Sequence, residues 1–154
     1  MDRQSRAFFQ SIERAVIQAP RVELVQDRGG RKMIPRNGGV YVVWYADSER
    51  PVYVGESSSL WQRLGDVNRS VNHTFRRKIA RTLHLETLAE EDLSVQLNRL
   101  FRVSFLEIHI GRAEVEEYLV LRWRKFVLNG VNRRNAKGTW YDDVDAIEDW
   151  PPRF

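Results

Sequence analysis

The chain has 154 residues, enough for one domain with a buried core and too few for two. It is 42% hydrophobic and 30% charged, an ordinary globular balance, and it has no cysteine, so disulfides, zinc–thiolate sites and thiol nucleophiles are excluded. The net charge of +4 is unevenly spread: residues 1–85 carry 15 Lys and Arg against 8 Asp and Glu, and residues 112–138 carry 7 against 3, while the segments 86–111 and 139–154 are acidic. Such basic segments suit a phosphate-binding surface, although charge alone fits solvated faces as well.

From Ser5 to Ala19, Phe9, Ile12 and Val16 recur at helical spacing and Pro20 follows, which predicts an amphipathic N-terminal helix. The opening "MDRQSRAFFQ" lacks the apolar core of a signal peptide, and no apolar run approaches the roughly 20 residues a membrane-spanning helix needs, so a cytoplasmic address with no membrane contact is expected. Residues 21–39, rich in Gly, Pro and Arg, read as a short extended piece and a loop. "VYVVWYA" and "PVYVGE" are dense in β-branched and aromatic residues around the turn "DSER", which predicts a hairpin.

Ser59 with Gln62 fits a capping box, and Leu60, Leu64 and Val67 form the apolar side of a short helix. A second helix is expected from about Thr74, with Phe75, Ile79 and Leu83 on one side and Arg76, Arg77, Lys78 and Arg81 on the others. A third has Leu93, Leu97 and Leu100 in step, and "FRVSFLEIHI" reads as a buried third strand. After Gly111, Val115, Tyr118, Leu119, Trp123 and Phe126 mark the apolar face of a helix expected to end at Asn129-Gly130. The tail "GTWYDDVDAIEDWPPRF" is aromatic and acidic, without the glycine and distant glutamate of a calcium-binding EF-hand loop.

Two polar residues stand out from this grammar. Glu117 has Val120 and Leu121 three and four positions on, so no cation lies one turn ahead to pair with it, and a metal or substrate cation would relieve a carboxylate beside apolar surface. Arg63 lies beside the Leu60/Leu64 stripe, where its guanidinium can fork onto a phosphate or simply cover the edge of the core.

The order of these features resembles the GIY-YIG nuclease family. "GVY" at Gly39–Tyr41 matches the first triplet, "YVG" at Tyr53–Gly55 matches the second with Val for Ile, and 11 residues separate them. "GESSSLWQR" then follows the family's glycine-to-arginine pattern, which puts the catalytic arginine on Arg63. "EYLVLRWRKFVLN" runs from Glu117 to Asn129, the family's glutamate-to-asparagine spacing of about a dozen. Four elements in order carry far more than one triplet. The departures are Glu56 where members often have a small residue or lysine, and Val127-Leu128 where a proline usually precedes the asparagine.

The resemblance covers roughly residues 38–132 and implies an α/β chain of the α+β kind: a small three-stranded, mainly antiparallel sheet flanked by helices. The N-terminal helix and basic loop (1–36) and the acidic, aromatic extension (136–154) would join the nuclease core (37–135) in one domain. It further implies a DNA endonuclease in which Glu117 holds one Mg²⁺ or Mn²⁺ and Arg63 braces the phosphate. Tyr41 or Tyr53 orients or deprotonates the water, and His73, ten residues after Arg63, is a candidate proton shuttle. Gly39, Gly55 and Asn129 are the structural members of the motif. Arg76, Arg77, Lys78, Arg81, Arg133, Arg134 and Lys137 are the candidate nucleic-acid contacts. A monomer or homodimer acting on double-stranded DNA in restriction, repair or mobile-element processing is the expectation, and an inactive nucleic-acid-binding module on the same scaffold is the alternative.

Overall fold

The computed structural model describes residues 1–26, 32–67, 73–129 and 143–154. Helix α1 spans Arg3–Gln18, opened by the Asp2 side chain, which accepts from the Ser5 N–H. It buries Val16 and half-buries Phe9 and Ile12, the face expected from the spacing. A two-residue strand, β1 (Val22–Glu23), follows. The hairpin is β2 (Gly39–Tyr45) and β3 (Pro51–Ser57), antiparallel, with Tyr41 opposite Gly55 and Val43 opposite Tyr53. Three helices come next: α2 (Leu60–Asp66), α3 (Thr74–Thr82) and α4 (Glu90–Leu100). Strand β4 (Phe101–Glu107) and helix α5 (Arg112–Arg122) complete the described elements.

The sheet has four strands in the order β1-β4-β2-β3, all neighbours antiparallel, rather than the expected three. The added strand is β1, which pairs Val22 with Val103 and Glu23 with Arg102. Two residues cannot display a period, so what makes them a strand is the edge of β4 and not their own pattern.

Alternation along β2 divides the core. Val40, Val42 and Trp44 face α1, α5 and the C-terminal residues Val144 and Ile147, whereas Tyr41 and Val43 face α2, α3 and α4. Both edges of the sheet are closed by asparagine amides. Asn129 accepts from Val54 N–H at 2.9 Å and donates to Val54 C=O at 2.7 Å; Asn98 does the same for Val25 beyond β1, both at 2.8 Å. Each amide takes the place of a neighbouring strand and satisfies backbone groups that would otherwise lack partners.

Helix α5 ends at Arg122, seven residues before the expected stop. Its C-cap is Trp123, and the Phe126 and Val127 N–H groups turn back onto the Trp123 carbonyl. Leu128 N–H then donates to Val52 C=O at 2.7 Å, so the free edge of β3 captures the chain as the helix unwinds. Leu83 and Leu100, each the last of its apolar row, fall at helix ends and are exposed.

Candidate active site

The two motif glycines have different close neighbours. A Cβ on Gly39 would lie 2.1 Å from the Leu106 carbonyl oxygen, so backbone packing requires glycine there. A Cβ on Gly55 would lie 2.2 Å from Cζ and 2.3 Å from Oη of Tyr41, so the Tyr41 ring lies over the gap that Gly55 leaves in the facing strand. Tyr41 and Tyr53 stand on the same face with ring centroids 6.3 Å apart. Tyr41 is fully buried, while Tyr53 is half-buried and is the phenol nearer to solvent.

Helix α2 starts where expected, its Ser59 hydroxyl accepting from Gln62 N–H. Leu60 and Leu64 are buried beneath it, and Arg63, about 60° round the helix from Leu60, donates a hydrogen bond to the Tyr41 oxygen. Burial works against the guanidinium's charge, but the Tyr41 phenol together with Tyr53 and Asp66 outweighs it, and the Arg63 pKa is raised.

His73 is fully buried at the N-cap of α3. Its Nδ1 accepts from Phe75 N–H at 3.2 Å, which places the proton of the neutral ring on Nε2, 3.1 Å from the Tyr41 hydroxyl. His73 therefore donates to the Tyr41 oxygen, as Arg63 does. Burial, then the charges of Arg63, Arg77 and Arg76, push the His73 pKa down to about 3. The ring is held as a neutral donor at neutral pH.

Burial also dominates at both phenols. It raises the Tyr41 pKa, with Tyr53 and Glu116 adding to the effect and Arg63 partly opposing it. For Tyr53 burial comes first, Glu116 adds, and Arg63 opposes. Neither phenol is a base at neutral pH without further positive charge beside it.

The charge of Glu116, the residue before Glu117, reaches both phenols. Val115 and Leu119 face the core and Arg112 reaches β3, its Nε 2.7 Å from Glu56 Oε2. Glu116 is one turn after Arg112 on that same β3 flank, whereas Glu117 is 100° further round, half-buried on the row of Val120 and Leu121. Glu56, after the second triplet, alternates to the α5 side of the sheet and away from the phenols.

Among the candidate nucleic-acid contacts, Arg77, Lys78 and Arg81 are exposed on α3, with Lys78 Nζ donating to the Leu128 carbonyl. Arg76 is a correction. It is fully buried and donates to Val67 O at 2.8 Å, Ser94 Oγ at 3.0 Å, and Glu90 O and Oε2 at 2.8 and 2.7 Å, a brace between α3 and α4 with no surface to offer a phosphate. The helical spacing that put it on the outer side did not register that α4 packs there. Arg133, Arg134 and Lys137 lie outside the described residues.

Among the described residues no three His, Asp or Glu side chains are grouped as a metal cage. Mg²⁺ does not require one, since it is commonly held by one or two carboxylates with waters and substrate phosphate, and the half-buried Glu116 beside two phenols fits that donor set. No helix among the described residues is long and apolar enough to cross a membrane. No family model, curated protein or solved structure matches the chain.

Proposed function

We propose that the chain is a divalent-metal-dependent endonuclease that hydrolyses phosphodiester bonds in DNA. The observation that carries this reading is the convergence on one phenol: the oxygen of Tyr41 on β2 takes hydrogen bonds from Arg63 of α2 and His73 of α3, with Tyr53 of β3 and Glu116 of α5 near enough to shift it. Residues from five elements meet there.

In this reading Tyr41 is a positioning residue. It is too buried to meet water, and it aims the Arg63 guanidinium, whose fork suits a phosphate and the charge that develops on it. His73 holds the phenol from the other side. Tyr53, the more accessible phenol, orients the attacking water. Glu116 would hold one Mg²⁺ or Mn²⁺, which when bound supplies a Lewis acid and lowers the pKa of its water. Arg77, Lys78 and Arg81 add sequence-independent phosphate attraction.

The test is nicking of supercoiled plasmid in Mg²⁺. The wild type is expected to nick, Arg63→Ala and Glu116→Gln to lose activity, and Glu117→Gln to keep it. Nicking that survives in Arg63→Ala removes the nuclease assignment, loss in Glu117→Gln but not in Glu116→Gln returns the metal role to Glu117, and DNA binding with no cleavage by the wild type leaves the inactive binding module.

A further inference from the structure

On the opposite face of the sheet, an open cleft of about 560 Å³ is lined by Ile17 of α1 and Arg21 beyond it, the hairpin turn with Glu49 and Arg50, and Trp150-Pro151 of the C-terminal segment. That volume is within the range of small-ligand sites, roughly 300–1,000 Å³. It is well separated from the phenols by topology: Tyr41 points to the α2–α4 face, whereas Trp44 and Trp150 belong to the α1–α5 face.

The arginine in its wall differs from the structural arginine of the core. Arg76 satisfies itself with hydrogen bonds to Val67, Ser94 and Glu90. Arg21 is locked in place by Nη1, which donates to Ile17 O at 3.0 Å and Ala19 O at 3.1 Å, and by the Trp44 ring, 3.8 Å from its Cζ, yet its Nε has no hydrogen-bond partner. One face of the guanidinium lies on Trp44, and burial opposes its charge while Glu49 favours it. A cation held flat and partly desolvated is suited to receive a flat ring against its planar group. Trp150 supplies a second aromatic wall, itself braced by Trp44 and Trp123 at centroid distances of 5.7 and 5.4 Å. At the rim Arg50, exposed, offers a fork for a phosphate, and Glu49, exposed and held at φ 55°, offers acceptors for an exocyclic amine.

We propose that this cleft is a mononucleotide site, with a purine ring between Arg21 and Trp150, its amino group on Glu49 and its phosphate on Arg50. The proposal does not rest on the nuclease reading.

Equilibrium dialysis with AMP tests it, using adenosine and inorganic phosphate as half-ligands. AMP is expected to bind with a Kd of roughly millimolar or tighter, and more tightly than either half. Arg50→Ala should weaken AMP at least about tenfold, the loss of one charge-assisted contact, while leaving adenosine unchanged. Glu49→Gly keeps the left-handed backbone comfortable and should weaken AMP and adenosine alike without changing phosphate. Arg63→Ala should bind AMP as the wild type does. The proposal is overturned by no AMP binding up to roughly 10 mM, by phosphate binding as tightly as AMP, or by AMP binding that Arg63→Ala abolishes and Arg50→Ala leaves intact.

Discussion

The sheet carries a buried polar cluster on each face, and the two are built to opposite ends. Towards α1 and α5, the fully buried Glu13 accepts from Trp123 Nε1 at 2.7 Å, Tyr118 Oη at 3.3 Å and Arg122 Nε at 3.4 Å. Every partner of that carboxylate is inside the chain, and the cluster locks α1 onto α5. Towards α2 and α3, two donors converge on the Tyr41 oxygen, while Arg63, Tyr53 and Glu116 around it remain partly open to solvent. Buried polar groups that close on themselves hold a fold together, and those that keep one side open are able to act on something else.

That contrast predicts where mutations divide stability from activity. The largest effect is expected from Arg63→Ala: nicking should fall by about 10³-fold or more, the scale of an arginine that stabilises a phosphoryl transition state, with the thermal midpoint nearly unchanged. Next, Glu13→Ala should cost about 2–5 kcal/mol in urea unfolding, because it leaves two buried donors, Trp123 Nε1 and Tyr118 Oη, without their acceptor, while the activity per folded molecule stays near wild type. If instead Arg63→Ala unfolds the chain and Glu13→Ala abolishes activity in folded protein, the roles of the two clusters are reversed.

A mutation at the junction of packing and site should do both. Gly55→Ala forces a methyl into the Tyr41 ring and should destabilise by about 1–3 kcal/mol while also lowering activity, a double effect that calorimetry and the nicking assay read separately.

The site cluster should also be acid-sensitive through His73. Its pKa in the folded chain is pushed down to about 3, chiefly by burial, so between there and the ordinary value of about 6.5 the unfolded chain binds a proton that the folded chain does not. Stability is then lost as pH falls below about 6.5, reaching about 2 kcal/mol at pH 5. His73→Asn, which keeps an N-cap acceptor for Phe75 N–H, should flatten the dependence of the unfolding midpoint between pH 7 and 5. The smallest effect is expected at the surface: Arg77→Ala with Arg81→Ala should reduce the salt slope of DNA binding by about 2 and leave stability unaltered.

Much of this was legible in the amino acids alone. The hairpin follows from its β-branched and aromatic runs around the turn DSER, the capped α2 from Ser59, and the apolar faces of α1 and α5 from a period of 3.6, all local properties. The pairing of Tyr41 with Gly55 has a local sign as well, since glycine in a strand marks a close approach. What needed the tertiary structure is what depends on a partner. Strand β1 exists because β4 offers it an edge, and α5 stops at Arg122 because β3 captures Leu128 and Asn129. Arg76 is a core brace because α4 covers it, and the Glu116 carboxylate reaches the phenols because α5 packs along β3. Sequence periodicity determines which faces a helix has; only packing decides what each face meets.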